Sequence, residues 1–233
     1  MSTIRSVEEL TSGDSLWPTI TKWVRQANVT IDVLPRTDSD AEREIAALQV
    51  TTRSALGAIV FESGGIMLDH KWLRLLGTGL KDVSPSIGHL NGLLDSSSAS
   101  LIPGTLVFAW DVLGGIFVIN ENRLPFRRGN VCYFAPDSLA WMDTQMGHAE
   151  FCKWSFTDSL PRFFHHLRWS NWAAQVTTIP ADHGLALYPP LFSKEGTQIE
   201  NAAKKSVPTL DLLRLQIHYG KEVGNFDSIE RTC

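Results

Sequence analysis

Two adjacent histidines, His165 and His166, stand between Arg162 and Arg168 in the helical segment that follows the central strands. Two histidines bind one metal ion from a helix when they are four residues apart, because positions i and i+4 share a face. Adjacent helical residues instead point about 100° apart. The spacing therefore predicts solvent-facing or hydrogen-bonded histidines, and we expect neither a metal site nor a cofactor.

A second candidate chemistry comes from carboxylates near the turns of the central strands. Two carboxyl groups a few ångströms apart can act as acid and base in glycoside hydrolysis. Turn aspartates more commonly accept hydrogen bonds from the backbone two residues further on. A small-molecule or carbohydrate-acting enzyme is therefore the alternative hypothesis. The carboxylates concerned are Asp111, Glu121, Asp137, Asp143 and Glu150.

Known catalytic signatures are missing from the sequence. It contains no GxSxG nucleophile motif, and its short glycine pairs are not followed by the Lys-Ser or Lys-Thr of a phosphate loop. We therefore assign no catalytic residue, and an enzyme is the less favoured hypothesis.

Tryptophan is abundant, with eight residues in a chain of 233. The ordinary interpretation is that these rings fill the core and cap its edges. A sharper hypothesis places some of them on an exposed binding face beside acidic side chains, since Trp is favoured in interface hot spots. The residues predicted for that face are Trp110, Asp111, Glu121, Asp137 and Trp141.

Composition narrows the function classes. The formal charge of −4 argues against nucleic-acid binding, which draws on clustered Lys and Arg. No run approaches the ~18 apolar residues of a membrane span, and the N-terminus lacks the apolar core of a signal peptide. Three scattered cysteines, Cys132, Cys152 and Cys233, are typical of a reducing compartment. We expect a cytoplasmic protein that binds neither nucleic acid nor membrane.

The elements that position these residues centre on residues 105–169. Three apolar runs rich in β-branched and aromatic residues, at 105–110, 116–120 and 131–134, are separated by Gly, Asn and Asp and predict an antiparallel meander. Helical spacing of apolar residues follows from Phe151 to Leu167. The pattern predicts an α+β fold with a central antiparallel sheet and helices packed on one face.

The segments before the meander are shorter. The apolar run at 54–62 favours a buried helix, and 66–68 and 72–76 read as two short strands. After the meander, residues 141–147 are expected to form a polar bridge between strand and helix.

We predict a single domain at 1–219. The Ser-, Gly- and Asp-rich stretch 81–103 is expected to be a surface loop. Residues 220–233 are expected to form a flexible C-terminal tail.

Several of these segments together resemble an uncharacterised bacterial family, domain of unknown function 2625. The resemblance spans about residues 6–217, and the family brings no established activity. The matching segments are QVTTRS at 49–54, SGGI at 63–66, DHKWLRLLG at 69–77, GGIFVIN at 114–120, YFAPDSLAW at 133–141, YPPL at 188–191 and VP at 207–208.

A shorter pattern resembles the SUKH superfamily, which includes Syd and many bacterial immunity proteins. The shared features are a buried helix running into a Gly-Gly turn at 56–65, a meander with Asp and Gly-Gly at a strand turn, and C-terminal helices. This resemblance implies a SUKH-like fold whose sheet face binds proteins, in many members a polymorphic toxin. The face near Asp111, Glu121 and Asp137 would then receive a basic toxin, with acidic charge steering association.

The leading hypothesis is therefore a non-catalytic, cytoplasmic protein-binding module of the immunity or anti-toxin type. Its expected partner is a toxin-like protein. The sequence leaves the oligomeric state open.

Overall fold

The computed structural model describes residues 4–80, 85–95 and 99–226. Its centre is a seven-stranded antiparallel sheet in which the spatial order of the strands follows the chain from β1 to β7. A separate two-stranded sheet pairs β8 with β9. The strands are β1 Ile31–Leu34, β2 Gly65–Leu68, β3 Leu73–Leu76, β4 Thr105–Asp111, β5 Ile116–Asn120, β6 Asn130–Phe134, β7 Trp141–Gly147, β8 His183–Tyr188 and β9 Ala203–Pro208.

Helices precede, interrupt and follow this sheet. The predicted α+β class with a central antiparallel meander is confirmed, and the meander is longer than the three strands recognised in the sequence. The helices are α1 Val7–Thr11, α2 Trp17–Arg25, α3 Asp38–Leu48, α4 Ala55–Glu62, α5 Ile87–Leu90, α6 His148–Ser155, α7 Ser159–Phe163, α8 Trp172–Thr177 and α9 Thr209–Glu222, with a 3₁₀ turn at His165–Leu167.

The predicted buried helix at 54–62 is α4. The Ser54 hydroxyl accepts a hydrogen bond from the Gly57 N–H at 3.0 Å, which caps the first turn. Gly57 lies so close to the preceding segment that a Cβ there would be 2.1 Å from the Thr51 carbonyl oxygen. Nearly all residues of the helix are apolar, and neighbouring elements bury Ala55 to Val60 on every side.

The β2–β3 hairpin confirms the two short strands predicted at 66–68 and 72–76. Its turn places Asp69, His70 and Lys71 consecutively in the left-handed region, with φ of 51°, 57° and 67°. None of the three is glycine, so the turn holds a backbone conformation that costs free energy for each residue. Surrounding contacts, described below, maintain this turn.

Helices pack on one face of the sheet, and a second layer covers the other. Phe117 of β5 stacks on Tyr133 of β6 at 4.4 Å and contacts Phe151 of α6 at 4.9 Å. Phe134, the next residue along β6, points to the opposite face and contacts Phe226, beyond α9, at 5.3 Å. Consecutive strand residues are apolar, so both faces require cover.

The β8–β9 hairpin and α9 belong to this second layer. Arg74 of β3 is buried, and its guanidinium donates hydrogen bonds to the backbone carbonyls of Ala181 and His183 at the start of β8. The N–H of Leu185 in β8 donates to the carbonyl of Val112 at 2.7 Å. These bonds attach the small sheet to the β4–β5 end of the meander.

Two segments differ from the sequence predictions. Residues 141–147 form strand β7, paired with β6, and are not a bridge; alternating polar residues there face solvent along a sheet edge. Helix α9 runs to Glu222, past the predicted start of a tail at 220. Phe226 is buried against Phe134 and Trp141, so the folded unit extends at least to residue 226, and residues 227–233 lie outside the described part.

Part of the 81–103 segment is packed, so the prediction of a surface loop is wrong for residues 86–91. It contains the short helix α5, and Ile87 and Leu90 are buried. The Asn91 side chain bonds both the N–H and the carbonyl of Val107 in β4, each at 2.8 Å. Its amide thereby replaces a neighbouring strand at an edge position that β3 does not reach. Residues 81–84 and 96–98 lie outside the described residues.

Candidate binding groove

The five residues predicted for an exposed binding face do not form one. Trp110, Asp111 and Trp141 are buried, with exposed fractions of 1%, 0% and 8%. Glu121 is exposed and Asp137 is partly exposed. The prediction is wrong for the three buried residues because both sheet faces are covered. Helix α9 and the β8–β9 hairpin cover the face that holds Trp110 and Trp141. Asp111 points to the other face, where its partner Tyr133 lies under the helical layer.

Asp111 has a structural position at the β4–β5 turn. Its Oδ1 accepts hydrogen bonds from the N–H groups of Leu113 at 2.8 Å and Gly115 at 3.1 Å. The Tyr133 hydroxyl donates to its Oδ2 at 2.7 Å. Burial raises the pKa of Asp111 to about 6, although these three donors favour the charged form. The carboxylate closes the turn and does not face a cleft.

Two other turn carboxylates, Asp143 and Asp137, each interact with a partner of their own. The Asn130 amide donates to both oxygens of Asp143 at 3.0 Å. Asp137 Oδ2 lies 3.2 Å from His166 Nε2 at the surface. The structure thus gives each carboxylate a different partner and does not place Asp111, Asp137 or Asp143 in the wall of the groove described next.

An open groove lies along α7, the 3₁₀ turn and the start of α8. Its cavity volume is about 670 Å³, within the ~300–1,000 Å³ usual for ligand sites. We call it the Trp–Arg groove. Its lining residues are Pro161, Arg162, His165, Arg168, Trp169, Ser170 and Trp172.

The base of the groove is a cation held between indole rings. The Arg168 guanidinium carbon lies 4.0 Å from the centre of the Trp172 ring and 5.1 Å from that of Trp72. Arg168 also forms a hydrogen-bonded ion pair with Asp69, and their side chains are only 12% and 9% exposed. Planar guanidinium groups favour this combination of stacking and carboxylate pairing. The arrangement fixes the two tryptophans relative to each other.

The left-handed β2–β3 turn supports the same wall. The His70 ring meets the edge of Trp172 at 5.6 Å, and Lys71 Nζ donates to the Thr177 carbonyl at 2.9 Å. Asp69 supplies the ion pair to Arg168. Asp69, His70 and Trp72 therefore contact groove residues, and Lys71 attaches the turn to the end of α8. These contacts account for a turn held in a costly backbone conformation.

The rim of the groove involves the segment before β9. Glu200 accepts hydrogen bonds from the Ser170 N–H at 3.0 Å and from the Ser170 hydroxyl at 2.5 Å. Lys204 Nζ lies 4.8 Å from the centre of the Trp169 ring. These contacts place Glu200 and Lys204 at the rim of the groove, beside residues some thirty positions earlier in the chain.

The sequence shows the basic residues of this groove but does not indicate that they converge. The spacing of His165 and His166 argues against a metal site, and Arg162 and Arg168 receive no role from it. Trp169 and Trp172 were assigned mainly to the core. The available signal was the density of Arg, His and Trp within 162–172; its convergence with Asp69 and Trp72, about a hundred residues earlier, is a tertiary feature.

Two further features are absent from the described ranges. No three His, Cys, Asp or Glu side chains there are grouped as ligands for a metal ion. None of the helices in those ranges is long and apolar enough to cross a membrane.

Fold and groove together define an α+β protein built on a seven-stranded antiparallel meander with a cationic, tryptophan-walled groove at one end of its helical layer. The chain belongs to the family described as "Protein of unknown function DUF2625", which matches residues 7–212. The main family resemblance seen in the sequence is thereby confirmed. The SUKH resemblance stays a prediction.

Curated relatives match over most of their length. An uncharacterised protein of Haemophilus influenzae is 29% identical over 217 residues, which cover 93% of this chain and 92% of the relative. The putative uncharacterised protein YbfG of Escherichia coli is 33% identical over 197 residues, covering 84% and 88%.

Proposed function

We propose that the protein is a non-catalytic binding module that recognises another protein through the Trp–Arg groove. The observation that carries this proposal is the groove itself: it is open to solvent and walled by tryptophan, and its polar side chains are hydrogen-bond donors or histidine. Tryptophan and arginine are the side chains most enriched in interface hot spots. A wide, open groove also suits an extended partner segment better than a reacting small molecule.

The placement of the reactive groups supports binding over catalysis. Cys152 is fully buried beside His148, with Sγ 3.7 Å from Nε2. Burial raises the pKa of the Cys152 thiol, so it resists the thiolate form that a nucleophile needs. Cys132 is likewise buried, with its pKa raised to about 12. Both thiols are structural in this arrangement.

The biological setting that we propose is that of an immunity or anti-toxin-like factor in the cytoplasm. The SUKH resemblance supports this setting, and the free, buried Cys132 and Cys152 are consistent with a reducing compartment. The partner would be a toxin-like protein. The docking site now proposed is the Trp–Arg groove and not the sheet face near Asp111.

A small-molecule or carbohydrate-acting enzyme is the second candidate. The observation that favours it is the His166–Asp137 pair at 3.2 Å, next in sequence to the groove residue His165. Tryptophan rings are also common platforms for sugar rings. Thermal stabilisation by an oligosaccharide or metabolite, lost in an Asp137→Asn variant, would favour this candidate.

Affinity capture tests the binding proposal. Tagged protein is used to capture partners from a host lysate, with Arg162→Glu as the groove variant and Arg43→Glu, an exposed residue of α3, as the matched control. A directly binding protein recovered by the parent and by Arg43→Glu, but lost with Arg162→Glu, would support the proposal. Equal recovery with all three would place the interface elsewhere.

A further inference from the structure

The rim of the Trp–Arg groove already binds a carboxylate, supplied by the chain itself. Ser170 offers two donors side by side, its backbone N–H and its hydroxyl, and each bonds a different oxygen of Glu200 at 3.0 and 2.5 Å. These hydrogen bonds lower the pKa of Glu200, since they favour its charged form. Both residues are exposed, so the contact is accessible from solvent.

The remaining polar groups of the groove also favour a negatively charged ligand. No lining residue is acidic. Arg162 is 76% exposed, and its Asp158 partner is 53% exposed; such surface pairs contribute little and exchange readily. Arg162 is therefore able to exchange Asp158 for an incoming carboxylate. The half-buried Trp172 ring provides an apolar surface between these donors.

We infer that the partner segment recognised by this groove is acidic, with one carboxylate replacing Glu200 on Ser170 and a second pairing with Arg162. This inference rests on the proposed function and specifies its partner. Glu200 then acts as an internal competitor that occupies one carboxylate position until the partner arrives. A protein segment fits better than a nucleic acid, because the group that occupies this position is a carboxylate and not a phosphate.

If Glu200 competes with the acidic partner segment, removing the Glu200 carboxylate should strengthen binding of that segment. The probe is a short fluorescein-labelled peptide of glutamate, glycine and leucine, followed by fluorescence anisotropy at low salt. Glu200→Ala should tighten binding about three- to tenfold, the range expected for displacing one exposed hydrogen-bonded carboxylate. Ser170→Ala and Arg162→Gln should each weaken it, whereas Arg43→Gln should not change it.

Two matched probes test the chemistry. The same peptide with glutamine in place of glutamate should bind poorly, and so should labelled oligothymidylate. Equal binding of the glutamine peptide, preference for the oligonucleotide, or no gain with Glu200→Ala would overturn the inference. Circular dichroism confirms that each variant is folded, which is expected because all the substituted residues are exposed.

The two proposals fail in different ways. If capture yields an Arg162-dependent partner while the acidic peptide does not bind, the groove is a protein-binding site and the inference about carboxylates is wrong. If the peptide does not bind and capture is insensitive to Arg162→Glu, both are wrong.

Discussion

Asp69 and Arg168 make the most buried ion pair of the groove, and their contribution differs in kind from that of the exposed Asp158–Arg162 pair. In the first pair the side chains are 9% and 12% exposed; in the second they are 53% and 76% exposed. Removing one member of a buried pair leaves an uncompensated charge, whereas an exposed charge is solvated by water. The two ion pairs therefore allow the contribution of a buried pair to stability to be compared directly with that of an exposed pair.

A double-mutant cycle measures this difference. We expect Asp69→Asn and Arg168→Met each to lower the free energy of unfolding by roughly 2–4 kcal/mol, and the double variant to lose less than the sum. The cycle of Asp158→Asn with Arg162→Gln should give a coupling below about 1 kcal/mol. Urea denaturation followed by tryptophan fluorescence reports both, and equal couplings would contradict the assignment.

The buried groups Asp111 and His148 make the stability depend on pH in opposite directions. Burial raises the pKa of Asp111 to about 6. The folded state therefore holds this proton more tightly than the unfolded state, and the stabilisation present below pH ~4 is lost as the pH rises through ~6. The shift of the Asp111 pKa between the unfolded and folded states corresponds to about 3 kcal/mol in the free energy of unfolding.

His148 acts with the opposite sign. Its ring packs against Phe108 at 4.7 Å, and desolvation lowers its pKa to about 4. The unfolded state takes up a proton first as the pH falls below ~6.5, so stability from this group is lost between ~6.5 and ~4. Relative to wild type, Asp111→Asn should make stability rise more steeply from pH 4 to 6, and His148→Gln should make it rise less. Unfolding curves across this range with parallel pH slopes for all three proteins would refute the assignment.

At the scale of elements, α5 is attached to α3 by a buried carboxyl group. Glu44 is fully buried, and its Oε2 accepts a hydrogen bond from the Gly88 N–H at 2.7 Å. Burial raises the pKa of Glu44, and its Oε1 has no partner in the described structure. Together with the Asn91–Val107 bonds and the buried side chains of Ile87 and Leu90, this contact explains why part of a sequence rich in Ser, Gly and Asp is packed.

Substitution of Glu44 separates charge from hydrogen bonding. Glu44→Gln keeps the acceptor without the buried charge, so the free energy of unfolding at pH 7 should stay the same or increase. Glu44→Ala leaves the Gly88 N–H unpaired and should cost about 1–3 kcal/mol. Hydrogen exchange at residues 85–95 should accelerate in the alanine variant alone; similar acceleration in both would show that the charge is required.

At the scale of the whole molecule, the fold is closed by the chain after α9. Phe226 is buried between Phe134 and Trp141, at 5.3 and 5.8 Å. The side chain therefore belongs to the second layer that covers the sheet. This placement extends the folded unit beyond the boundary at 219 that composition indicated.

Truncating that side chain tests the extended boundary. Phe226→Ala should lower the free energy of unfolding by about 3–5 kcal/mol, the usual cost of removing a buried aromatic ring. Val223→Ala is the matched control, because Val223 lies in the same segment and is 51% exposed; it should cost less than about 0.5 kcal/mol. A Phe226→Ala variant as stable as wild type would contradict the extended boundary and support a flexible tail from residue 220.

Local patterns in the sequence determined the class of the fold and several of its elements. Short apolar runs separated by turn residues predict the β4–β6 meander, and a longer apolar run predicts α4. The turn at 69–71 lies between two short strands as expected. These signals are local because backbone geometry repeats over two to four residues. Family membership was also recognisable from short segments.

Tertiary structure alone decided which polar residues are accessible and which residues meet. Asp111 and Glu121 both follow strands of the predicted meander, yet Asp111 is buried against Tyr133 and Glu121 is exposed. The Trp–Arg groove joins Asp69 and Trp72 with Arg168 and Trp172, and no local pattern encodes contacts over such separations. Burial depends on what the rest of the chain places above a residue, so the groove became visible only in the folded protein.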